Sequence, residues 1–334
     1  MVLHIAAFVS PAADYHPKQA MKTNYGSTQN IIRAIFELGQ QDVTRLVYIG
    51  TVAETGDRMP PIHWGRVGDP IKPSMFDYYA VSKVAAERLV IESGLKHWVS
   101  LRQTGIIGKA MSEIEDAIMF HNCFDNVLEY CSDRDSARAM KNLCAFFHDG
   151  TLDESFWGHI YNIGGGESCR VSTYEMYRIM YGAIGLTKLD YMLSPKKEAT
   201  RNFHGQYYLD SDKLEQYLHF RSDSMQYFYD CYLEKLGTLA TVSKVLCRLP
   251  GGRTPMNPRA LTGRIWPCRK ATSGSLRRSP PQTPTRWWCF SAAAWWNCPG
   301  QTKSGRCSIW ACRARRGAQQ RRIFSPERPI QAAS

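Results

Sequence analysis

Apolar and polar positions along the first 190 residues switch between two periods. Leu3 to Phe8 is an apolar run that predicts a buried strand almost at the first residue. From Ser27 to Leu38 the apolar residues Ile31, Ile32, Ala34, Ile35 and Leu38 recur at helical spacing, and Gly39 supplies the stop. Thr44 to Gly50, with Arg-Leu-Val-Tyr-Ile at its centre, and His97 to Gln103 predict strands. Between them, Met75 to Ser93 predicts a long helix closed by Gly94. Ser112-x-x-Glu115 reads as a capping box that opens a helix through about Leu128. His159 to Ile163 predicts a short strand running into Gly164-Gly165-Gly166. Ser172-x-x-Glu175 is a second capping box, for a helix ending near Gly182 or Gly185. Strands alternating with helices predict an α/β fold, a doubly wound parallel sheet with helices on both faces.

Residues 190 to 240 are rich in Tyr, Asp and Lys and predict short helices and loops. Past about residue 245 the composition changes. Residues 251 to 334 hold six of the nine Trp and nine of the seventeen Pro, with 14 Arg and 2 Lys against one acid, Glu327. Trp287-Trp288-Cys289 and Trp295-Trp296-Asn297-Cys298 fit neither a helical nor a strand period. Translation in a wrong reading frame, or a fused foreign piece, accounts best for this segment. A basic disordered tail is the second reading, and an Arg/aromatic nucleic-acid binder the third. The expected division is therefore 1–190 for the sheet domain, 191–245 for a small substrate-binding subdomain, and 246–334 for the tail.

The net charge of +12 belongs to that tail, which carries +15, while the first 250 residues carry −3. Nucleic-acid binding by the globular part is not expected. Six Cys lie in the first 250 residues at irregular spacing and read as reduced thiols of a cytoplasmic protein. The five Cys of the tail contain no Cys-x-x-Cys pair, so no metal site is expected. No run of 18 apolar residues predicts a membrane span, and no basic residue precedes the apolar N-terminus as a secretory signal would require.

Candidate chemistry centres on Tyr79-Ala80-Val81-Ser82-Lys83. A spacing of i, i+4 puts Tyr79 and Lys83 on one helix face. An ammonium near the Tyr hydroxyl favours the phenolate and brings a group that titrates near pH ~10 toward a useful range for acid–base work. Upstream, the strand Leu46-Val47-Tyr48-Ile49 runs into Gly50-Thr51. The C-terminal end of a parallel strand is where α/β sheets place ligands, so the Thr51 hydroxyl is a candidate to polarise a carbonyl or alcohol beside Tyr79. A Thr that merely satisfies a strand end is the plain alternative.

These residues, with four further segments, resemble the extended short-chain dehydrogenases/reductases, the epimerase/dehydratase group. The segment from Leu3 resembles the family's fourth strand, with the small residues Ala6 and Ala7 beside the cofactor. Thr23-Asn24-Tyr25-Gly26-Ser27-Thr28-Gln29-Asn30 resembles its Asn-x-x-Gly-Thr-x-Asn helix. Leu101-Arg102-Gln103-Thr104-Gly105-Ile106-Ile107-Gly108 resembles its Leu-Arg-Pro-x-Asn-x-x-Gly segment, and Tyr161-Asn162-Ile163-Gly164-Gly165-Gly166-Glu167 its late Asn-x-Gly-x-Gly element. The resemblance covers residues 3 to about 190 well and 190 to 240 loosely. It implies a partial Rossmann-like sheet, a catalytic set of Tyr79, Lys83, Thr51 and Asn24, and a nicotinamide contact set of Ala6, Ala7, Tyr79, Lys83, Gln103, Thr104 and Ile106. It further implies NAD or NADP as cofactor, a small-molecule substrate such as a nucleotide-sugar, and a homodimer in full-length members.

The departures from that pattern shape the expectation. No Gly-x-x-Gly-x-x-Gly turn for the pyrophosphate precedes Leu3, so about three strands and two helices of the family's domain are expected to be missing. Ser27 replaces a Gly, Gln103 and Gly105 replace Pro and Asn, and Lys109 replaces a Pro. A non-catalytic remnant unable to hold a dinucleotide is thus the alternative to an NAD(P)-dependent oxidoreductase, epimerase or dehydratase. Outside the motif set, Arg201 to Tyr208 reads as a solvated loop with Tyr packing inward. Asp133 and Asp135 read as a helix cap, and His121 and His148 as ordinary histidines.

Overall fold

A computed structural model describes residues 1–56, 58, 61–74, 77–112, 122–186 and 205–238. The expected tail, and the stretch 187–204, lie outside the described residues. Leu46, Val47 and Tyr48 are buried on both sides of β2 (Arg45–Thr51), which makes it a central strand. It pairs in parallel with β1 (Val2–His4) on one side and β4 (His97–Gln103) on the other, and β4 pairs in parallel with β8 (His159–Ile163). The sheet order is β1-β2-β4-β8. The register sets Thr51 opposite Gln103 and Gln103 opposite Ile163, so all three strands end along one edge of the sheet.

Helices cover both faces, as the strand–helix alternation requires. The short helices α1 (Ala12–Tyr15) and α2 (Pro17–Ala20) lead through a wide turn, Met21–Tyr25, into α3 (Gly26–Glu37). With α4 (Tyr78–Ile91), α3 packs on one face around Ile35, Leu46, Tyr48, Ala86, Val90 and Leu95. On the other face α6 (Asp133–His148) and α8 (Asp212–Leu218) bury Met140, Leu143, Leu214 and Leu218 against Val47, Val99, Leu101 and Ile163. A second cluster joins β6 (Val127–Glu129), β9 (Arg170–Ser172), α7 (Thr173–Gly182) and α9 (Met225–Leu236) around Leu128, Met176, Tyr177 and Phe228. Smaller elements complete the set: β3 (Trp64–Gly65) with β10 (Tyr207–Tyr208), β5 (Ile106–Ile107) with β7 (Cys131–Ser132), and α5 (Lys109–Ser112).

Several boundaries differ from the periodic pattern. The N-terminal strand ends at His4 rather than Phe8, because β1 has ladder partners only over three residues of β2. α4 starts at Tyr78, where Asp77 accepts the Ala80 amide at 2.7 Å and caps the helix. The helix expected through Leu128 does not reach it. Leu128 lies in β6, paired antiparallel with Val171 of β9, a partner about forty residues away that local periodicity cannot show. The cap of α6 is Ser132, which accepts the Asp135 amide at 2.9 Å. Asp135 itself is buried and accepts the Ser222 and Asp223 amides, tying α6 to the C-terminal segment. Tyr207 and Tyr208 pair with β3 instead of looping through solvent, and Tyr208 is buried.

Among the described residues β1 pairs only with β2, so its second edge carries no strand. Bare apolar edges template further pairing. The chain is expected to self-associate, and sedimentation velocity across a concentration series measures it. A monodisperse monomer at every concentration counts against this expectation.

Candidate active site

The C-terminal edge of the sheet gathers the expected residues. At the end of β2, Thr51 caps a single tight turn, Val52–Thr55. Its hydroxyl accepts the Ala53 amide at 3.3 Å, and Glu54 Oε1 accepts the Thr51 amide at 3.0 Å. The turn closes at Gly56, whose φ of +68° suits glycine. A Cβ there would stand 1.7 Å from the Lys72 carbonyl oxygen, so close passage of the 66–74 loop requires this residue.

From α4, Tyr79 reaches the same edge, where the Thr51 side chain adjoins its phenol. Burial pushes the Tyr79 phenol well above its ordinary range. The Thr51 contact opposes that rise, and the charges of Glu54 and Asp77 add to it. One helical turn further along, Lys83 turns toward the sheet. Its Nζ donates to the Ile49 carbonyl at 2.5 Å and lies 4.1 Å from the centre of the Tyr48 ring. Burial lowers the Lys83 ammonium to about 8, against the pull of Glu54 and Glu87. In this arrangement Thr51, not Lys83, is the group that eases ionisation of Tyr79.

Asn24 is buried in the wide turn ahead of α3. It takes the Phe8 amide at 2.7 Å, donates to the Phe8 carbonyl at 2.9 Å, and donates to Ser82 Oγ at 2.8 Å. These bonds fix the loop that follows β1, and with it Ala6 and Ala7, against α4. Gln103 ends β4 opposite Thr51, and its Nε2 is buried without a hydrogen-bond partner. The Thr104 hydroxyl is committed to the Glu129 carbonyl at 2.5 Å. Ile106 lies in β5, half-buried. Gly105 leaves no room for the Asn of the family pattern, because a Cβ would meet the Tyr130 ring at 3.0 Å and Leu128 at 3.3 Å.

Two charged residues of this region, Glu87 and Glu54, lie outside the motif reading, which holds Arg102 only as part of a segment. Glu87 continues the series Tyr79, Lys83, Glu87 on one face of α4. It accepts from Arg102 Nη2 at 2.6 Å, Arg102 Nε at 3.1 Å and Ser100 Oγ at 2.5 Å. Arg102 Nε also stands 3.5 Å from Glu54 Oε2. The i, i+4 spacing from Lys83 was a signal for Glu87; nothing in the sequence marked Glu54 as interior.

Residues 1–131 match the model of the 3-beta hydroxysteroid dehydrogenase/isomerase family. This part of the chain is similar to that family. A curated relative, 3 beta-hydroxysteroid dehydrogenase type 7 of Mus musculus, is 29% identical over 126 residues, or 35% of this chain. The match spans a third (33%) of that relative's length. Among solved structures, MoeE5 in complex with UDP-glucuronic acid and NAD superposes with a TM-score of 0.53 at 17% identity, over 70% of this chain and 77% of that one. The dTDP-glucose 4,6-dehydratase DesIV of Streptomyces venezuelae gives 0.51 at 21% identity, over 70% and 73%. At these identities the structural likeness establishes a shared Rossmann-type α/β fold.

His4, on β1, offers a pH test of the site's support. Its Nε2 meets Thr28 Oγ1 at 2.9 Å, and burial, followed by the Lys83 charge, lowers its pKa to about 4. An unfolded His titrates near ~6.5, so between these values the unfolded chain binds the extra proton. Stability is expected to fall as pH drops from 6.5 to about 4, and urea midpoints across that window measure it. His4→Gln should flatten this part of the curve; an unchanged slope would remove His4 as its source.

Proposed function

We propose that this chain carries the acid–base half of a nicotinamide-dependent oxidoreductase or epimerase acting on a secondary alcohol or its ketone. The observation that carries the proposal is the meeting of the Thr51 side chain, at the end of β2, with the Tyr79 phenol of α4, one helical turn from Lys83. Thr51 holds the substrate oxygen and the Tyr79 hydroxyl gives or takes its proton, a pairing suited to acid–base catalysis in a water-poor site. The residues present fit the nicotinamide end of NAD or NADP. Gln103 Nε2 is a buried donor in want of an acceptor at the strand end, and Ala6 and Ala7 are small enough to let a ring lie close. The bound cofactor supplies or accepts the hydride. Lys83 would exchange the Ile49 carbonyl for a ribose hydroxyl, and Thr104 and Ile106 would border the ring.

For the substrate, the solved relatives that bind UDP-glucuronic acid or act on dTDP-glucose support a nucleotide-sugar. A hydroxysteroid is the second reading. The family match over residues 1–131 favours it, as does the apolar filling by Tyr130 and Leu128 at Gly105. The test is NAD(H) and NADP(H) binding to the full chain by fluorescence, then turnover of UDP-sugars and of a 3β-hydroxysteroid. Micromolar binding with turnover is the expected result. Absence of cofactor binding would overturn the proposal in favour of a non-catalytic remnant.

A further inference from the structure

Glu54 is wholly buried three residues beyond Thr51. Its Oε1 takes the Thr51 amide at 3.0 Å, while Oε2 is equally shut from solvent and receives no hydrogen bond. Oε2 stands 3.5 Å from Arg102 Nε, too far for a hydrogen bond, and the neighbouring Glu87 carboxylate already holds Ser100 and both arms of Arg102. The other charged or titratable groups facing Glu54 are Lys83 and Tyr79 from α4, Arg102 from β4, and Tyr48 from β2. Room for the carboxyl comes from Gly50: a Cβ there would sit 3.1 Å from Glu54 Oε1, from Ser100 Oγ and from the Arg102 stem. Two carboxylates in contact inside a protein cannot both stay ionised at low cost. A proton on Oε2 turns the repulsive contact into a donated hydrogen bond.

We propose that Glu54 is a positioning residue of the acid–base site and works as a neutral carboxylic acid, with one oxygen fixing Thr51 by its backbone and an O–H on the other donating to Glu87. Burial and then the Glu87 charge drive the Glu54 carboxyl well above its usual range, more than Arg102 and Lys83 pull it down. Glu87 stays below its usual range because the Arg102 hydrogen bond and charge outweigh its burial. The catalytic consequence concerns Tyr79. An ionised Glu54 would oppose negative charge on the phenol; a neutral one holds Thr51 in place without that cost.

Glutamine copies a neutral glutamic acid, since its carbonyl can take the Thr51 amide and its NH₂ can donate to Glu87. Alanine removes both bonds. Infrared spectra of the full chain at neutral pH are therefore expected to show the carbonyl stretch of an un-ionised acid, and E54Q is expected to lack it. E54Q should melt with the wild type, while E54A should melt well below it. The catalytic arm rests on the proposed oxidoreductase function. There, E54Q should keep kcat and its pH profile, and E54A should lose about 10- to 100-fold in kcat with KM little changed. No acid band in the wild type, or an E54Q variant as destabilised as E54A, would overturn the assignment. A wild type that shows the band but no turnover keeps Glu54 as a neutral acid and instead overturns the proposed function.

Discussion

Replacing Tyr79 by Phe is expected to lower kcat by about 10²- to 10⁴-fold, the usual worth of a positioned acid or base. The ring stays, and with it the packing of α4 on β2. What goes is the hydroxyl that meets Thr51 and carries the proton. KM and cofactor affinity should barely move, because an interaction made mainly in the transition state shows in kcat. Thr51→Val should fall in the same direction, and the double variant should cost little more than Tyr79→Phe alone, as expected for groups acting as a unit. Steady-state kinetics with the substrate found above measures all three. Retention of full kcat by Tyr79→Phe would remove the proposed chemistry from this edge of the sheet.

Replacing Arg102 by Met is expected to cost about 3–5 kcal/mol of stability, the range for stripping one partner from a buried ion pair. Arg102 and Glu87 are both almost wholly enclosed, and the guanidinium meets both oxygens of that carboxylate. Without it Glu87 is left as an unpaired charge between α4 and β4. Adding Glu87→Met should recover much of the loss, because two apolar side chains of similar volume can fill the site without a desolvated charge. Urea denaturation of the two variants and the wild type provides the comparison. A single variant within about 1 kcal/mol of wild type would place the pair in contact with solvent.

The legible parts of the fold were those written in local pattern. The strands at His97–Gln103 and His159–Ile163 were read to the residue, since each is a buried run with clear stops. Ser172 caps its helix through the Glu175 amide as its spacing predicted. Leu128 was misread because its strand exists through Val171, far along the chain. The candidate site was legible where a motif marks it, at Thr51, Tyr79 and Lys83. Its charged underside was not. Arg102 lies in a strand that reads as buried, but a charged residue there names no partner, Glu54 carries no mark of enclosure, and only the folded sheet lays both near Glu87. The direction of Lys83 was equally hidden, because spacing places a side chain on a helix face but does not choose among acceptors within its reach.

The single face of α4 that presents Tyr79, Lys83 and Glu87 has a consequence for descent. Lys83 grips the Ile49 carbonyl and Glu87 grips Arg102, so both answer to the integrity of the sheet as well as to any reaction. The Tyr79 hydroxyl answers chiefly to the proposed chemistry, and the Thr51 side chain to that chemistry and to the cap of one short turn. A lineage released from catalysis would drift first at positions 51 and 79, while 83 and 87 remained under purifying selection for folding.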